Sequence, residues 1–577
     1  MPILPDDRRA GNDFIHVSGP VRGCAWTWLF LLLCWMPAWP AAAAGDEPVA
    51  AALRSRLEGL RRDERPVLRG IGLGGGELLA EFYARRAYQP AWEDPARAAG
   101  LLAVLRRAGE HGLDSGDFFV DEIPVPLHPP ATAERQAERD LLMTEALIRY
   151  GYQRRFGKVD PAAMEPAWNF ERGFAGEEDP LALLEGAVAA PALEAYLAEW
   201  LPASSWYRLL QAALARYRAM ATTGGWPQLP AGAVLRPGAH DERIPLLRER
   251  LQAEGDLAAD HAPAEPGLFD PALAAAVRRF QGRHALAQDA IVGAPTLAAL
   301  NVPVQARVDQ LRLSLERVRW LGGQVPETYV VVNVAGFQAG FVRNRELVWS
   351  SRVVVGRSAR QTPIFVGRMT YLEINPSWII PPTILRQDIL PRLRRDPGYL
   401  ARERISVLDR AGRRVDPATV DWAAMGRSMP YALRQEPGPD NALGRIKFMF
   451  PNPHMVYLHD TPAKALFERP ERSFSSGCIR VEDPLALASL VLDDPAWDRA
   501  ALEAAVATGE TRRVTLARPL PVLMIYLTSI AEPSGEVRFF RDIYGRDAAL
   551  LAALDGPVRL GLPQVSTGGA ATPPAAP

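Results

Sequence analysis

The sequence predicts a multidomain α+β protein: a helical N-terminal region, a compact three-helix unit, and a β-rich domain carrying an insertion. Three observations predict it. At 577 residues the chain exceeds what one hydrophobic core organises. The apolar period changes from helical to extended after Pro326. A helical, then mixed, stretch at about 381–440 interrupts the strands, and insertions of that length often serve as lids or functional loops. Hydrophobic content of 48% with 23% charge is that of a globular chain, and 52 prolines imply many turns and linkers. Lys and Arg (66) nearly balance Asp and Glu (67), so the basic surplus that drives binding to nucleic-acid phosphates is missing and no nucleic-acid partner is expected.

Residues 1–44 read as an export segment. Arg8, Arg9 and Arg22 accompany "VRGCAWTWLFLLLCWMPAWPAAAAG" (21–45), which ends in small residues around Ala42, Ala44 and Gly45. Its unbroken apolar part, Ala25 to Met36, is short for a bilayer span, and Pro37 and Pro40 follow. A cleaved signal peptide is the first expectation and an uncleaved membrane anchor the second; either exports the rest. Lipid attachment is not expected, because Cys34 lacks a small residue before it and Cys24 lacks a preceding apolar stretch. Once the signal is removed, Cys478 is the one remaining cysteine, without a partner for an internal disulfide in an oxidising compartment.

From 50 to 235 the pattern is helical. "DPARAAGLLAVLRRAGEHG" opens with Asp94 as cap and Pro95 in the first turn and stops at Gly112; Met143, Leu147 and Tyr150 repeat the helical spacing. Trp92, Trp168, Trp200, Trp206 and Trp226 lie near helical apolar positions and read as packing residues. The compact unit spans 242–303. There "IPLLRERLQAEG" forms a helix ended by Gly255, and Asp270 and Pro271 open a second whose buried stripe is Leu273, Ala276, Val277 and Phe280. "PTLAALN" supplies the third helix. Beyond Pro326, "TYVVVNVAGFQAGFVRNRELVWSSRVVVG" (328–356) reads as consecutive antiparallel strands with turns at Gly336 and "RNRE". The β pattern resumes at "GRIKFMFPNPHMVYLHDTP" and again at 521–545, so the domain covers 327–555. The Gly, Ala, Thr and Pro residues of 563–577 predict a disordered tail.

The chemistry concentrates in "YLHDTPAKALFERPERSFSSGCIRVEDP" (457–484). Strand alternation puts Tyr457 and His459 on one face and His454 on the other, and no HExxH or CxxC occurs, so no metal is expected. A thiol becomes a good nucleophile when a histidine lies beside it in space, which makes Cys478 the candidate nucleophile and His459 the candidate base. Gly477 frees the backbone to turn tightly, and the N–H groups of Gly477 and Cys478 are the candidate oxyanion donors. In a continuing strand the Asp460 side chain points away from His459, so a backbone carbonyl is the expected orienter of the imidazole. Arg480 either pairs with a substrate carboxylate or forms a salt bridge to Glu482 or Asp483. Tyr457, Ser475 and Ser476 complete the candidate substrate-binding set, although satisfying the loop backbone is favoured over a catalytic role for the two serine hydroxyls.

His459, fifteen intervening residues and then "SSGCIR" resemble the signature of the L,D-transpeptidase (YkuD-type) family, in which a histidine precedes a Ser-His-Gly-Cys loop. Ser476 replaces the loop histidine and Arg480 stands where many members have asparagine. Both departures are features of the larger Gram-negative branch, which "TPIFVGRMTYLEINPSWIIPP" and "FRDIYGRD" also resemble, so the similarity spans roughly residues 50 to 555. "LFDPALAAAVRRFQGRHALAQDAIVGAPTLAALN" is similar to the three-helix peptidoglycan-binding domain, with Ala290 where that family has glycine, a change expected to alter the turn.

The resemblance implies a helical scaffold domain (50–235), a peptidoglycan-binding module (242–303) and a β-sandwich catalytic domain (327–555) under an inserted cap (about 381–440). It implies a periplasmic enzyme, exported or held by an inner-membrane anchor. In its reaction Cys478 attacks the carbonyl of meso-diaminopimelate in a tetrapeptide stem, D-Ala leaves, and an amine of a second stem takes the thioester to give a 3→3 cross-link. Peptidoglycan tetrapeptide stems are the implied donor and acceptor, carbapenems the implied covalent inhibitors, and neither a metal nor an organic cofactor is implied. Three other readings stand beside it: an L,D-carboxypeptidase, a cysteine peptidase of the NlpC type (in which cysteine generally precedes histidine) and a non-catalytic wall-binding scaffold. The sequence leaves the oligomeric state open.

Overall fold

Helices of the first half start where the sequence supplies a cap. Asp94 accepts from the Ala96 N–H at 2.8 Å and Pro95 occupies the first turn of the helix Pro95–Arg106. Thr132 caps the longest helix, Ala133–Phe156, which buries Leu141, Met143, Leu147 and Tyr150 against Leu101, Leu105, Phe82 and Trp92. The Trp92 indole N–H reaches Thr144 Oγ1 at 2.9 Å, in keeping with a packing role for this residue. The computed structural model describes residues 47–60, 67–123, 131–170, 178–201, 205–322, 325–396, 398–425 and 429–558. The expected export segment (1–44) and tail (563–577) lie outside the described residues.

The helices Ile244–Ala253, Pro271–Arg283 and Ala294–Leu300 share a core of Leu247, Leu251, Leu273, Ala276, Val277 and Phe280. Asp270 caps the second, accepting from the Leu273 N–H at 2.7 Å. Ala290 adopts the left-handed conformation, φ +62°, that a glycine would take more easily. Its N–H donates to Gln281 Oε1 at 2.9 Å, which keeps the turn despite the methyl group.

Among the described residues nine strands form the large sheet: β1 (Tyr329–Asn333), β2 (Gln338–Arg343), β3 (Glu346–Gly356), β4 (Val366–Ile374), β5 (Ile446–Met449), β6 (Leu458–His459), β7 (Ser473–Ser475), β8 (Ile479–Val481) and β9 (Arg512–Ile525). Their spatial order is β7-β3-β8-β6-β5-β4-β9-β1-β2, and β2 also pairs with β3. The expected sandwich is therefore made by one sheet that closes on itself around Val330, Val332, Met369, Leu372, Phe448 and Leu458. As expected, β1 to β3 run antiparallel; β6 with β8 and β1 with β9 are parallel. The helices Ser205–Thr222 and Val304–Trp320 cover the outer face through Leu210, Leu214, Leu311 and Leu315 packed on Val331 and Leu523. This explains why β1 is apolar at nearly every position instead of alternating.

The insertion builds a small sheet of its own from Trp378–Ile379, Ala432–Gln435, Ile405–Leu408 and Arg414–Val415, in that spatial order, over a core of Leu385, Ile389, Leu393, Val407 and Leu433. Five residues of its first helical stretch, Leu385–Ile389, wind as a π-helix.

Three buried histidines make the fold acid-sensitive. Burial pushes His111 and His459 down to about 3 and His284 well below its ordinary value, with neighbouring arginines adding to each. In the unfolded chain all three protonate near the ordinary value of about 6.5, so below it the unfolded state binds more protons and stability falls toward the native values. The urea midpoint is expected to drop as pH is lowered from about 7 to about 4.5; a level midpoint across that window would contradict the neutral burial of these rings.

Candidate active site

Strand register brings the site together. Leu458 lies beside Ile479 and His459 beside Arg480 in the parallel pair β6–β8. Leu458 and Ile479 fill the core, so alternation turns Tyr457, His459, Cys478 and Arg480 to the opposite face. From the other side, β5 sets Lys447 opposite His459. The Lys447 ammonium lies 4.4 Å from the centre of the Tyr457 ring and 3.7 Å from Glu373 Oε2. The His454 ring packs against Phe365 at a tilt, with ring centres 5.1 Å apart.

His459 is buried, and its Nδ1–H donates to the backbone carbonyl of Asp460 at 2.5 Å, leaving Nε2 as the acceptor. The Asp460 carboxylate is engaged elsewhere, by Lys464 Nζ at 2.6 Å and the Arg445 N–H at 2.9 Å. The carbonyl orients the ring, and the side chain does not. Burial, then the charges of Arg480 and Lys447, hold the ring neutral, while hydrogen bonds to the Asp460 and Leu443 backbones pull the other way. A neutral imidazole with a free Nε2 can take a proton.

Cys478 is partly exposed, and burial of its sulfur pushes the thiol up from its ordinary value; interactions with Tyr457, Lys447 and Arg480 favour the thiolate. Among the described residues Sγ hydrogen-bonds the Met455 carbonyl at 3.8 Å and makes no direct hydrogen bond to His459. The Tyr457 ring is 5.7 Å from the His459 ring. Its hydroxyl meets both the thiol and the Trp378 indole at the root of the insertion; burial, then the charge of the neighbouring thiolate, raises its pKa.

Arg480 resolves in favour of an unpaired cation. Glu482 is held by Arg352, and Asp483 lies 3.6 Å from Arg499 and accepts from the Ala486 N–H. Among the described residues the Arg480 guanidinium has no carboxylate partner and its Nε lacks a hydrogen-bond acceptor; burial lowers its pKa. The salt-bridge alternative is corrected accordingly.

The turn at 475–478 places two further candidates among its own hydrogen bonds. Ser475 is buried, its Oγ donating to the Cys478 carbonyl at 2.5 Å and accepting the Gly477 N–H at 3.1 Å. Its hydroxyl is engaged by the backbone of the turn. Because the Gly477 N–H is already satisfied, the Cys478 N–H remains as the backbone donor for a developing oxyanion. Ser476 is exposed but accepts from Arg360 Nη1 at 2.8 Å; the same guanidinium binds Asp388 in the insertion at 2.5 Å. Sequence reasoning missed Lys447, Trp378, Met455 and Arg360. The "YLEINPSW" and "GRIKF" runs carry two of these, but only strand pairing shows where they point. Nucleophile, base, cation and backbone donor on one face are the parts of an acyl-transfer site.

Residues 327–514 match the family model described as "L,D-transpeptidase catalytic domain", residues 77–214 the "Scaffold domain", and residues 240–300 the "Putative peptidoglycan binding domain". The chain thus carries an L,D-transpeptidase (YkuD) catalytic domain, with scaffold and peptidoglycan-binding domains ahead of it. A Haemophilus influenzae protein named "Putative L,D-transpeptidase" is 35% identical over 240 residues, 41% of this chain and 48% of that protein, so the match spans about half the relative's length. Two solved structures are also similar: the Ldtfm-avibactam carbamoyl enzyme (10% identity, 39% of this chain and 64% of that chain, TM-score 0.18) and the L,D-transpeptidase from Xylanimonas cellulosilytica (14% identity, 52% and 100%, TM-score 0.16).

Proposed function

We propose that the chain is a periplasmic enzyme that joins peptidoglycan stems by 3→3 cross-links through a thioester on Cys478. The observation that carries the reading is the shared face of Tyr457, His459, Cys478 and Arg480 inside an L,D-transpeptidase catalytic domain. His459 Nε2 takes the thiol proton as sulfur attacks the diaminopimelate carbonyl of a tetrapeptide donor. The Cys478 N–H receives the developing negative charge, a contribution of about 3–4 kcal/mol to the barrier in comparable sites. The carbon–nitrogen bond breaks, His459 returns the proton to the departing D-Ala amine, and the acyl group stays on sulfur. The side-chain amine of diaminopimelate on a second stem then attacks the thioester, loses its proton to His459 and releases the thiolate, which is reprotonated. The unpaired Arg480 guanidinium suits a stem carboxylate. The contact of Trp378 with Tyr457 supports a capping role for the inserted domain, whose closing over the site would exclude water and favour an amine acceptor over hydrolysis. Thioester formation by carbapenems follows from the same chemistry, and export by residues 1–44 would bring the enzyme to its substrate.

Incubating the protein with disaccharide-tetrapeptide and reading the products by mass tests this. A dimer lacking one D-Ala supports the transferase; tripeptide alone makes the protein an L,D-carboxypeptidase; unchanged substrate with retained binding to sacculi leaves a wall-binding scaffold.

A further inference from the structure

We propose that Thr362 and Tyr544 are positioning residues that aim the Cys478 N–H at the oxygen of the reacting carbonyl, an inference that rests on the acyl-transfer reading of the site. Thr362 is fully buried; its Oγ1 donates to the Gly477 carbonyl at 2.8 Å and accepts the Gly356 N–H at 2.9 Å. The Tyr544 hydroxyl donates to the Gly356 carbonyl at 2.6 Å and accepts the Thr362 N–H at 3.0 Å. These four bonds lock the 356–362 turn behind the nucleophile. Tyr544 is fixed in its turn: its ring stacks on Tyr526 at 5.6 Å, and its N–H donates to the Tyr526 hydroxyl at 3.0 Å. Thr362 opens "TPIFVG" and Tyr544 lies in "FRDIYGRD", two stretches with no other part in the chemistry.

The physical link is the peptide plane. The Gly477 carbonyl and the Cys478 N–H are opposite ends of one planar trans peptide and point in opposite directions, so holding the oxygen aims the hydrogen. An anchor matters at this position because Gly477 sits at φ +116°, where a glycine backbone rotates with little steric resistance. Ser475 fixes the Gly477 N–H and the Cys478 carbonyl, and Thr362 fixes the Gly477 carbonyl between them. A donor aimed before the reaction needs no reorganisation as charge develops. The seat of Thr362 is tight, since a Cβ on Gly356 would collide with the backbone of Arg360 and Thr362.

The test compares two reactions of the same thiol in the full chain. Acylation by meropenem forms the sulfur–carbon bond at a carbonyl, breaks the lactam carbon–nitrogen bond, moves a proton to that nitrogen and places charge on oxygen. Alkylation by iodoacetamide displaces iodide at a saturated carbon and places none there. Thr362→Val is expected to slow acylation about 10- to 100-fold while alkylation stays within about twofold, because the aim of one oxyanion donor is lost and the thiol is unchanged. Thr362→Ser, which keeps the hydroxyl, should acylate near the wild-type rate, and Tyr544→Phe should slow acylation with the same selectivity. Wild-type acylation by the valine variant, or parallel slowing of both reactions, would overturn the proposal and leave the enzyme's function standing. A wild-type protein that alkylates but never acylates would remove the acyl-transfer reading and this inference with it.

Discussion

Cys478→Ala is expected to leave disaccharide-tetrapeptide unconsumed, a loss on the order of 10⁴-fold or more in the rate of D-Ala release. The size follows from the commitments of the neighbouring hydroxyls: Ser475 is buried and committed to the turn, and Ser476 is bound to Arg360. The variant should nevertheless fold. The thiol is partly exposed and its contact with the Met455 carbonyl is a long one of 3.8 Å, so its removal should change stability by no more than about 1 kcal/mol. A chain that melts like the wild type, still binds sacculi and releases no D-Ala separates loss of chemistry from loss of fold. Release at more than a trace would place the reaction on another group.

His459→Gln should lower the acylation rate by about 10²- to 10⁴-fold, the usual contribution of a positioned base. Its dependence on pH carries a second expectation. With His459 pushed down to about 3 and the thiol pushed up by burial, the resting pair is a neutral imidazole beside a protonated thiol. Raising the pH toward the thiol's value increases the thiolate fraction, so acylation should climb through the neutral range into the alkaline. No step is expected near the ordinary histidine value of about 6.5, because this ring is already neutral there. A thiolate–imidazolium pair would instead give a rate that is flat from acid to alkaline, and that profile would contradict the electrostatics of the face. In His459→Gln the climb with pH should persist at the reduced rate, since the thiol still titrates.

The parts of the site that were legible in the sequence are those whose relation is local or set by alternation. Tyr457 and His459 share a face because they are two apart in a strand, and Asp460 is excluded as the ring's orienter by the same rule. The turn at 475–478 could be read as tight from Gly477, but not which of its amides stays free, because that depends on where the Ser475 hydroxyl rotates. Lys447 was invisible for a different reason. It reaches His459 through the antiparallel pairing of β5 with β6, and register between strands is a property of the folded sheet. The same holds for Thr362 and Tyr544, which meet the nucleophile turn from distant parts of the chain. The helices were more readable, since Asp94 and Asp270 announce their starts. β1 was legible from its run of valines, but not the burial of its second face by the helices Ser205–Thr222 and Val304–Trp320.

The most direct measurement is the mass of the protein quenched in acid during turnover of disaccharide-tetrapeptide. The expected result is a covalent adduct with the mass of the donor less D-Ala, mapped to the peptide bearing Cys478, that builds up before the dimer and disappears when a tripeptide acceptor is supplied in excess. Dimer formed with no adduct on Cys478 at any time, or an adduct on another residue, would contradict a thioester mechanism at this site.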